Sequence, residues 1–370
     1  MKFSLPYWYD LHTHLRQDGL MHPIVTSQLA MGCAGFLAMP NTKPPVAKVF
    51  RDDPLPYWSI EEYRAMILDA GGDALQNPDK TLITPLYLTK DTTPAMIENG
   101  AKSGLLKACK YYPPHGTTGA DFGYPFMNYL ENGVFEALRD CGVTLCVHGE
   151  EHHLAAERYF DRETNAEEIF YTERLPRLLE RFPDIRLACE HITTQKAVEF
   201  VAAAGDTVAA SVTPQHILYT VGHLVQGLKY HLFCLPLVKY AQDRAAIRAA
   251  ILSPQNTKFY AGTDSAAHTQ KATECGCAAG CFTGGIAPQL YAQGFEESGA
   301  DFTDAAHIQI FENFLCRNGA NFWGLEIPQQ RFTLEKSPMV TTPLETPDGA
   351  IIPLPLGLGA AEIAWSLKLP

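Results

Sequence analysis

The strongest constraint on the fold is an alternation of short β-rich segments with longer helical segments along most of the chain. This alternation is typical of βα units and a parallel sheet. Strands are predicted at 3–11, 35–39, 82–88, 105–111, 144–147, 186–189, 207–212 and 258–262. Helices are predicted at 60–74, 94–102, 124–141, 163–182, 194–204 and 242–252. Eight strand–helix units favour the α/β class, and within it a closed (β/α)8 TIM barrel over an open doubly wound sheet.

The length of the chain fits one such barrel. Barrels of this kind use several hundred residues as one unit, so we expect a single domain over 1–370. The segment from about 338 to 370 starts Pro-rich and is expected to form a surface arm whose end packs back. Glycine motifs of the GxGxxG or GxxxxGK type are absent from the sequence, so it gives no support for a nucleotide cofactor.

Charge and composition limit the partners. The formal net charge is −12, and lysines and arginines form no run longer than a pair, which argues against nucleic acid and acidic membranes. No apolar stretch approaches the ~18–20 residues of a membrane span, and the sequence MKFSLPYWYDLHTH lacks a signal-peptide pattern. The ten cysteines are scattered, as reduced thiols are in cytoplasmic proteins. We therefore expect a cytoplasmic protein that binds neither nucleic acid nor a membrane.

Unusual polar residues stand at the ends of the predicted strands. They are His12, His14, Asn41, Lys110, His148, His191 and Asp264. Because the carboxyl ends of barrel strands form one rim, where active sites are built, these side chains should converge on one cavity.

Each of these residues also has an ordinary structural interpretation. Two histidines spaced as His12 and His14 share one face of a strand and suit one metal, but they can also occur by chance. His148 or His191 alone is more typical of a hydrogen-bonded, partly buried histidine. Asp264 alone is typical of a turn or a helix N-cap. Their joint occurrence, in order, favours a metal site.

Lys110 is the most diagnostic of these residues. Burial in an apolar strand favours the neutral amine, and such an amine can add carbon dioxide to become a carbamate. A carbamate has two anionic oxygens and can bridge two cations. The alternative is a lysine that extends from a strand edge to solvent.

A set of motifs resembles the dihydroorotase family of the class II bacterial type, within the amidohydrolase superfamily. The resemblance covers about 10–365 and is carried, in order, by DLHTHLR, AMPN, ACKYYP, CVHGE, CEHITT, VTPQH, CLPLVK, GTDSAAH and CGCAAGCF. It implies a hydrolase of cyclic-amide C–N bonds that interconverts N-carbamoyl-L-aspartate and L-dihydroorotate in UMP biosynthesis. It also implies a zinc-bridged hydroxide as the attacking group and, typically, a homodimer.

The resemblance further implies a role for each matching residue. Two Zn²⁺ per subunit would share carboxylated Lys110 (N6-carboxylysine), one with His12, His14 and Asp264, the other with His148 and His191. Asp264 would be the general acid and base. Substrate would contact His14, Arg16, Asn41, His148, Leu235, His268 and either Ala278 or Ala279. Thr117 and Thr118 would belong to a mobile loop that closes over it.

Three departures from the family pattern lie outside the expected metal ligands. They are HLRQDG for HLRDG, SAAH for SAPH and CGCAAGC for CGCAGC; the last leaves Ala278 and Ala279 as open alternatives. Two other functions also stay open. One is a hydantoinase or dihydropyrimidinase-like enzyme, which Arg16, Asn41 and His268 disfavour because they suit an α-carboxylate. The other is a non-catalytic scaffold, which would typically have lost metal ligands.

Overall fold

The computed structural model describes residues 1–75, 81–114, 116, 118–274 and 276–370. In this part of the chain eight parallel strands form a closed ring. They are β1 (Trp8–His14), β2 (Cys33–Ala38), β3 (Leu82–Ile83 and Leu86–Tyr87), β4 (Ala108–Tyr111), β5 (Thr144–His148), β6 (Leu187–Glu190), β7 (Val208–Val212) and β8 (Phe259–Ala261 and Ser265–Ala266).

Each strand pairs with its neighbour in sequence, and β8 closes the ring on β1. The first segment of β3 pairs with β2 and its second segment with β4. Likewise β8 pairs with β7 through its first segment and with β1 through its second, where Ser265 lies opposite Thr13. The predicted TIM barrel is confirmed. In β3 the interruption falls at Thr84 and Pro85, where proline has no N–H for the ladder.

The predicted first strand, 3–11, is wrong in its bounds. Lys2–Pro6 pairs antiparallel with Arg331–Glu335, which also pairs with Ser366–Lys368, in a separate three-stranded sheet. Burial distinguishes the two segments: Lys2–Pro6 has partly exposed residues, whereas Trp8–His14 is buried throughout. Both segments are rich in residues that favour strands, so the sequence pattern predicted one strand where the structure has two.

Helices cover the outside of the barrel and connect its strands. Longer helices are Met21–Leu29, Ile60–Gly71, Pro94–Lys102, Phe126–Glu131, Val134–Asp140, Leu175–Arg181, Gln195–Ala203, Ala241–Leu252, Ala287–Glu297, Ala305–Glu312 and Asn318–Trp323. Shorter helical segments are Asp18–Leu20, Gly72–Leu75, Ala156–Tyr159, Ala166–Ile169, Phe170–Arg174, Pro214–Leu218, Val221–Val225, Tyr230–Leu232, Asn313–Arg317 and Leu354–Gly357. The helix predicted over 124–141 is two helices, because Gly133 between them adopts a φ of 82°.

Small strand pairs complete the structure, and the C-terminal segment packs back on the molecule. The pairs are Val46–Lys48 with Trp58–Ser59, Ala272–Thr273 with Gly276–Cys277, and Met339–Val340 with Glu362–Ile363. Trp365 is fully buried, and its Nε1 donates to Glu296. The single-domain organisation with a C-terminal arm stays a prediction. Among the described residues, no helix has both the length and the apolar character of a membrane span.

Candidate active site

Side chains from β1, β4, β5 and the ends of β6 and β8 meet at the carboxyl end of the barrel. His12 and His14 belong to β1, Lys110 to β4 and His148 to β5. His191 directly follows β6, and Asp264 lies between the two segments of β8. All of them are buried, and none is more than 8% exposed.

His12, His14 and Asp264 form the tightest group. Nε2 of His14 lies 2.9 Å and Nε2 of His12 lies 3.4 Å from Oδ1 of Asp264. One ligand atom from each residue lies within 4.8 Å of the others, so the group can hold a metal ion. Burial alone would raise the pKa of Asp264, but the two histidines outweigh it and hold that pKa well below its usual range.

His191 connects this group to the other side of the mouth. The centroid of its ring lies 4.8 Å from that of His12 and 4.8 Å from that of His148. The Lys110 ammonium lies 5.1 Å from the centroid of the Tyr112 ring and has no solvent exposure. Burial lowers the pKa of Lys110, although Glu190 acts in the opposite direction.

Buried polar atoms without partners show that this donor set fits a metal. In the described part of the chain, Nε2 of His12, Nζ of Lys110 and Nδ1 of His191 lack a hydrogen-bond partner. Leaving such an atom unsatisfied costs about 1–3 kcal/mol. Imidazole nitrogens and carboxylate oxygens are ligands for zinc and similar divalent cations, so coordination would satisfy them.

Two buried glutamates orient the histidines from behind, and the sequence analysis missed both. Nδ1 of His12 donates to Glu190 over 2.7 Å, and Nε2 of His148 donates to Glu150 over 2.8 Å. Ser211 also donates to Glu190 over 2.5 Å. The only sequence signal was an acidic residue beside each histidine, in CEH and HGE. Such carboxylates fix the tautomer and the orientation of a metal-binding imidazole.

The backbone at this rim is held in uncommon conformations. Arg16, His191 and Asp264 have φ values of 22°, 42° and 49°. Non-glycine residues rarely adopt these angles, and they persist where surrounding contacts enforce them, often at functional sites. Gly262 allows a close approach: a Cβ there would lie 2.8 Å from Cβ of Ser211 and 3.0 Å from Cβ of His12.

A cavity of about 390 Å³ opens beside the histidine cluster. Its lining includes His14, Arg16, Asn41, Thr118 and His268. Nδ1 of His14 donates to Oδ1 of Asn41 over 2.7 Å, and the Asn41 amide donates to the carbonyl of Thr118 over 3.0 Å. Asn41 therefore links His14 to the loop that contains Thr118. Thr117 lies outside the described residues.

Arg16 supplies positive charge to this cavity. Its Nε donates to the carbonyl of Ala267 over 3.1 Å, and its Nη2 lies 3.3 Å from Nε2 of His268. Burial lowers the pKa of His268 to about 3, so this ring is neutral at pH 7. Gln17, the extra residue of HLRQDG, lines the same cavity and accepts from the backbone N–H of Lys43 over 2.9 Å.

Leu235 and Ala279 line a narrower space that reaches Asp264. Ala278 does not line it. The Ala278 N–H donates to the carbonyl of Lys271 over 2.8 Å, and the Lys271 ammonium donates to the carbonyl of Ala278 over 2.5 Å. Of the two alanines, Ala279 is the one that contacts the cavity. This difference depends on tertiary packing and was not predictable from the sequence.

Solved structures share this fold. The dihydroorotase of Saccharomyces cerevisiae in complex with 5-fluoroorotic acid has a TM-score of 0.83 at 24% identity, covering 100% of this chain and 98% of that one. The L-hydantoinase (dihydropyrimidinase) of Arthrobacter aurescens has a TM-score of 0.73 at 14% identity, covering 99% of this chain and 83% of its own. No protein-family model matches the sequence. This likeness shows the TIM-barrel fold, and the buried group of His12, His14 and Asp264 at its mouth could hold a metal ion.

Curated relatives identify the family of the chain. A dihydroorotase of Pseudomonas syringae pv. syringae is 37% identical over 97% of this chain and 96% of its own length. One of Picosynechococcus sp. is 36% identical over 98% of both. The chain belongs to the dihydroorotase family. It is a hydrolase that acts on a cyclic amide. The relatives support this function over those of a hydantoinase-like enzyme and of a non-catalytic scaffold.

Proposed function

We propose that this protein interconverts N-carbamoyl-L-aspartate and L-dihydroorotate by closing and opening a cyclic amide, a step of de novo pyrimidine biosynthesis. One observation carries the proposal: the buried cluster around Asp264 adjoins a cavity whose wall carries Arg16, Asn41 and His268. A reacting amide and a free carboxylate of one substrate can thus be held together. The names of the relatives support this substrate, and the yeast protein binds 5-fluoroorotic acid.

Two zinc ions would be held by the buried cluster. The first would be bound by His12, His14 and Asp264, the second by His148 and His191, with Lys110 as the shared ligand. When bound, the cations supply positive charge that lowers the pKa of a water molecule and polarises the amide carbonyl. The partnerless nitrogens of His12, Lys110 and His191 support this assignment.

Lys110 would act as a carbamate. Its amine would attack carbon dioxide: a bond would form between Nζ and carbon, the electron pair of one C=O π bond would move to oxygen, and one proton would leave nitrogen for solvent. Burial favours this step because it lowers the pKa of Lys110 and so leaves a free electron pair on nitrogen. The product is an anion, for which bound cations would supply the opposite charge; among the described residues, Nζ of Lys110 has no hydrogen-bond partner.

Asp264 would move the proton. Its low pKa leaves it ionised near neutral pH, so in the hydrolytic direction it accepts a proton from the attacking water. It then donates that proton to the ring nitrogen as the C–N bond breaks. In the biosynthetic direction the same transfers would run in reverse: Asp264 would take the proton from the attacking nitrogen and donate it to the oxygen that leaves as water.

Arg16, Asn41 and His268 would bind the substrate carboxylate, for which a guanidinium offers two parallel N–H donors. Backbone groups of Leu235 and Ala279 would hold the ring amide, with His14 and His148 beside the reacting carbon. Thr118, whose hydroxyl donates to the Ala279 carbonyl over 3.3 Å, would close over the substrate together with Thr117. We also expect a single-domain, cytoplasmic homodimer.

Substrate preference tests this proposal. The purified protein should hydrolyse L-dihydroorotate with a kcat/KM roughly 100-fold above that for dihydrouracil, which lacks the carboxylate. Arg16→Met should raise KM for dihydroorotate and leave kcat/KM for dihydrouracil unchanged. Lys43→Met is the matched control, because Lys43 is a second cation of the same cavity, on its exposed rim. Equal rates for both substrates in the wild type would contradict the proposal.

A further inference from the structure

A buried ammonium, that of Lys239, lies behind the histidine cluster and has no part in the chemistry described above. Its side chain is 2% exposed, and its Nζ donates to the carbonyl of Leu237 over 2.9 Å. The same Nζ lies 3.7 Å from Oε2 of Glu167 and 4.0 Å from Oε1 of Glu150. Both carboxylates are also buried. One buried cation thus lies between two buried anions, an arrangement that is costly to break.

The first carboxylate reaches His148. Oε2 of Glu150 accepts from Nε2 of His148 over 2.8 Å, while the hydroxyl of Tyr159 donates to Oε1 over 3.3 Å. This bond places the proton of the imidazole on Nε2. It leaves Nδ1 as the nitrogen with a free electron pair for a cation.

The second carboxylate reaches the backbone behind His191. Oε1 of Glu167 accepts from the N–H of Thr193 over 2.7 Å and from the N–H of Thr194 over 3.1 Å. The hydroxyl of Thr193 donates to Oε2. These bonds fix the turn that begins two residues after His191, whose own φ of 42° requires such support.

We propose that Lys239, Glu150 and Glu167 form a positioning network that sets the two histidines of the second cation site, with Lys239 as its centre. The inference rests on the proposed function, since it presupposes two cations. The first site has a separate support, because His12 is held by Glu190. Disturbing Lys239 or Glu150 therefore weakens one site and leaves the other intact.

Zinc titration tests this inference. Metal-free wild type, Glu150→Gln and Lys239→Met are equilibrated with graded free Zn²⁺, and bound zinc is counted per chain by native mass spectrometry. The wild type should bind two zinc ions. In both variants the first should bind with unchanged affinity and the second roughly 10- to 100-fold more weakly. Lys239→Arg, which keeps the charge, should recover part of the second affinity.

Glu312→Gln is the matched control. Glu312 is also a buried glutamate in an ion pair, 2.6 Å from Arg317, but it lies at the end of the outer helix Ala305–Glu312. The Glu312→Gln variant should bind both zinc ions with the affinities of the wild type. Melting temperatures of the metal-free proteins report folding, and Glu150→Gln, which keeps the side-chain shape, covers the case in which Lys239→Met fails to fold.

The outcomes separate this inference from the function on which it rests. A wild type that binds fewer than two zinc ions contradicts the two-cation site itself. If the wild type binds two zinc ions and the variants also bind two with wild-type affinity, the positioning network alone is overturned. Equal weakening of both zinc ions in Glu150→Gln also overturns it, because a general loss of structure affects both sites.

Discussion

Nδ1 of His12 lies 2.7 Å from Oε2 of Glu190, with both side chains closed off from solvent inside the barrel. The two residues are 178 positions apart in sequence. The bond places a proton on Nδ1 and leaves Nε2 of His12, which has no hydrogen-bond partner among the described residues, directed at the cluster. The carboxylate therefore prepares this imidazole to bind a cation.

Replacing this carboxylate should weaken the first cation site. Glu190→Gln keeps the shape but loses the charge, so we expect zinc affinity at the first site to fall roughly 10- to 100-fold. Competition with a chelator measures the change. Unaltered affinity would show that the Glu190 contact does not prepare His12.

Asp264→Asn should separate metal binding from turnover. An amide oxygen can still face the cations but cannot accept the proton, so kcat should fall by roughly 100-fold or more while most of the zinc is retained. Metal analysis and a dihydroorotate assay on the same sample measure both quantities. If substantial turnover remains in zinc-loaded Asp264→Asn, another group moves the proton.

Gly262→Ala should destabilise the barrel beside the site. The added methyl would lie 2.8 Å from Cβ of Ser211 and 3.0 Å from Cβ of His12, so the strands must separate. We expect a loss of about 1–3 kcal/mol in the free energy of unfolding, measured by denaturant titration of the metal-free protein. Gly205→Ala is the control, since a Cβ there has nothing within 4 Å. Equal stability of the two variants would contradict the close approach.

The alternation of β-rich and helical segments was enough to predict the barrel, and the order of polar residues at strand ends was enough to predict which side chains meet at its rim. Both signals are local, because strand ends and residue types can be found in short stretches of sequence. His14 and Asp264 lie 250 residues apart, yet barrel closure brings them within 2.9 Å.

The residues behind the site could not be predicted in this way. Glu190 and Lys239 lie within the motifs CEHITT and CLPLVK, but which side chains they contact depends on how distant strands and loops pack against each other. That Ala279 and not Ala278 lines the narrower space depends on tertiary packing. The place of Lys2–Pro6 in a separate sheet likewise depends on its pairing with Arg331–Glu335.

Glu151 predicts a pH dependence of stability. Burial would raise its pKa, but bonds from His152 and Arg174 outweigh this and lower the pKa to about 2, against an ordinary value of 4.5. Because the folded state holds the ionised carboxylate, its stabilisation is complete above pH 4.5 and is lost as the pH falls toward 2.

The variant Glu151→Gln measures this contribution. It should lower the free energy of unfolding near pH 7 by about 1–2 kcal/mol, allowing for solvent screening, and the difference from the wild type should shrink progressively below pH 4.5. Glu157→Gln, at an exposed glutamate nearby, is the control. Urea titrations at several pH values give the comparison, and a difference that grows on acidification would reverse the assigned sign.

We propose that imidazoles, one aspartate and a modified lysine bind two cations at one mouth of the barrel. A crystal structure of the zinc-loaded protein, with anomalous maps at the zinc absorption edge, tests this proposal. We predict two peaks, one among His12, His14 and Asp264 and one between His148 and His191, with carbamate density on Nζ of Lys110 joining them. A catalytically active crystal with a single peak, or with an unmodified Lys110 away from the metals, would contradict a two-cation site bridged by Lys110.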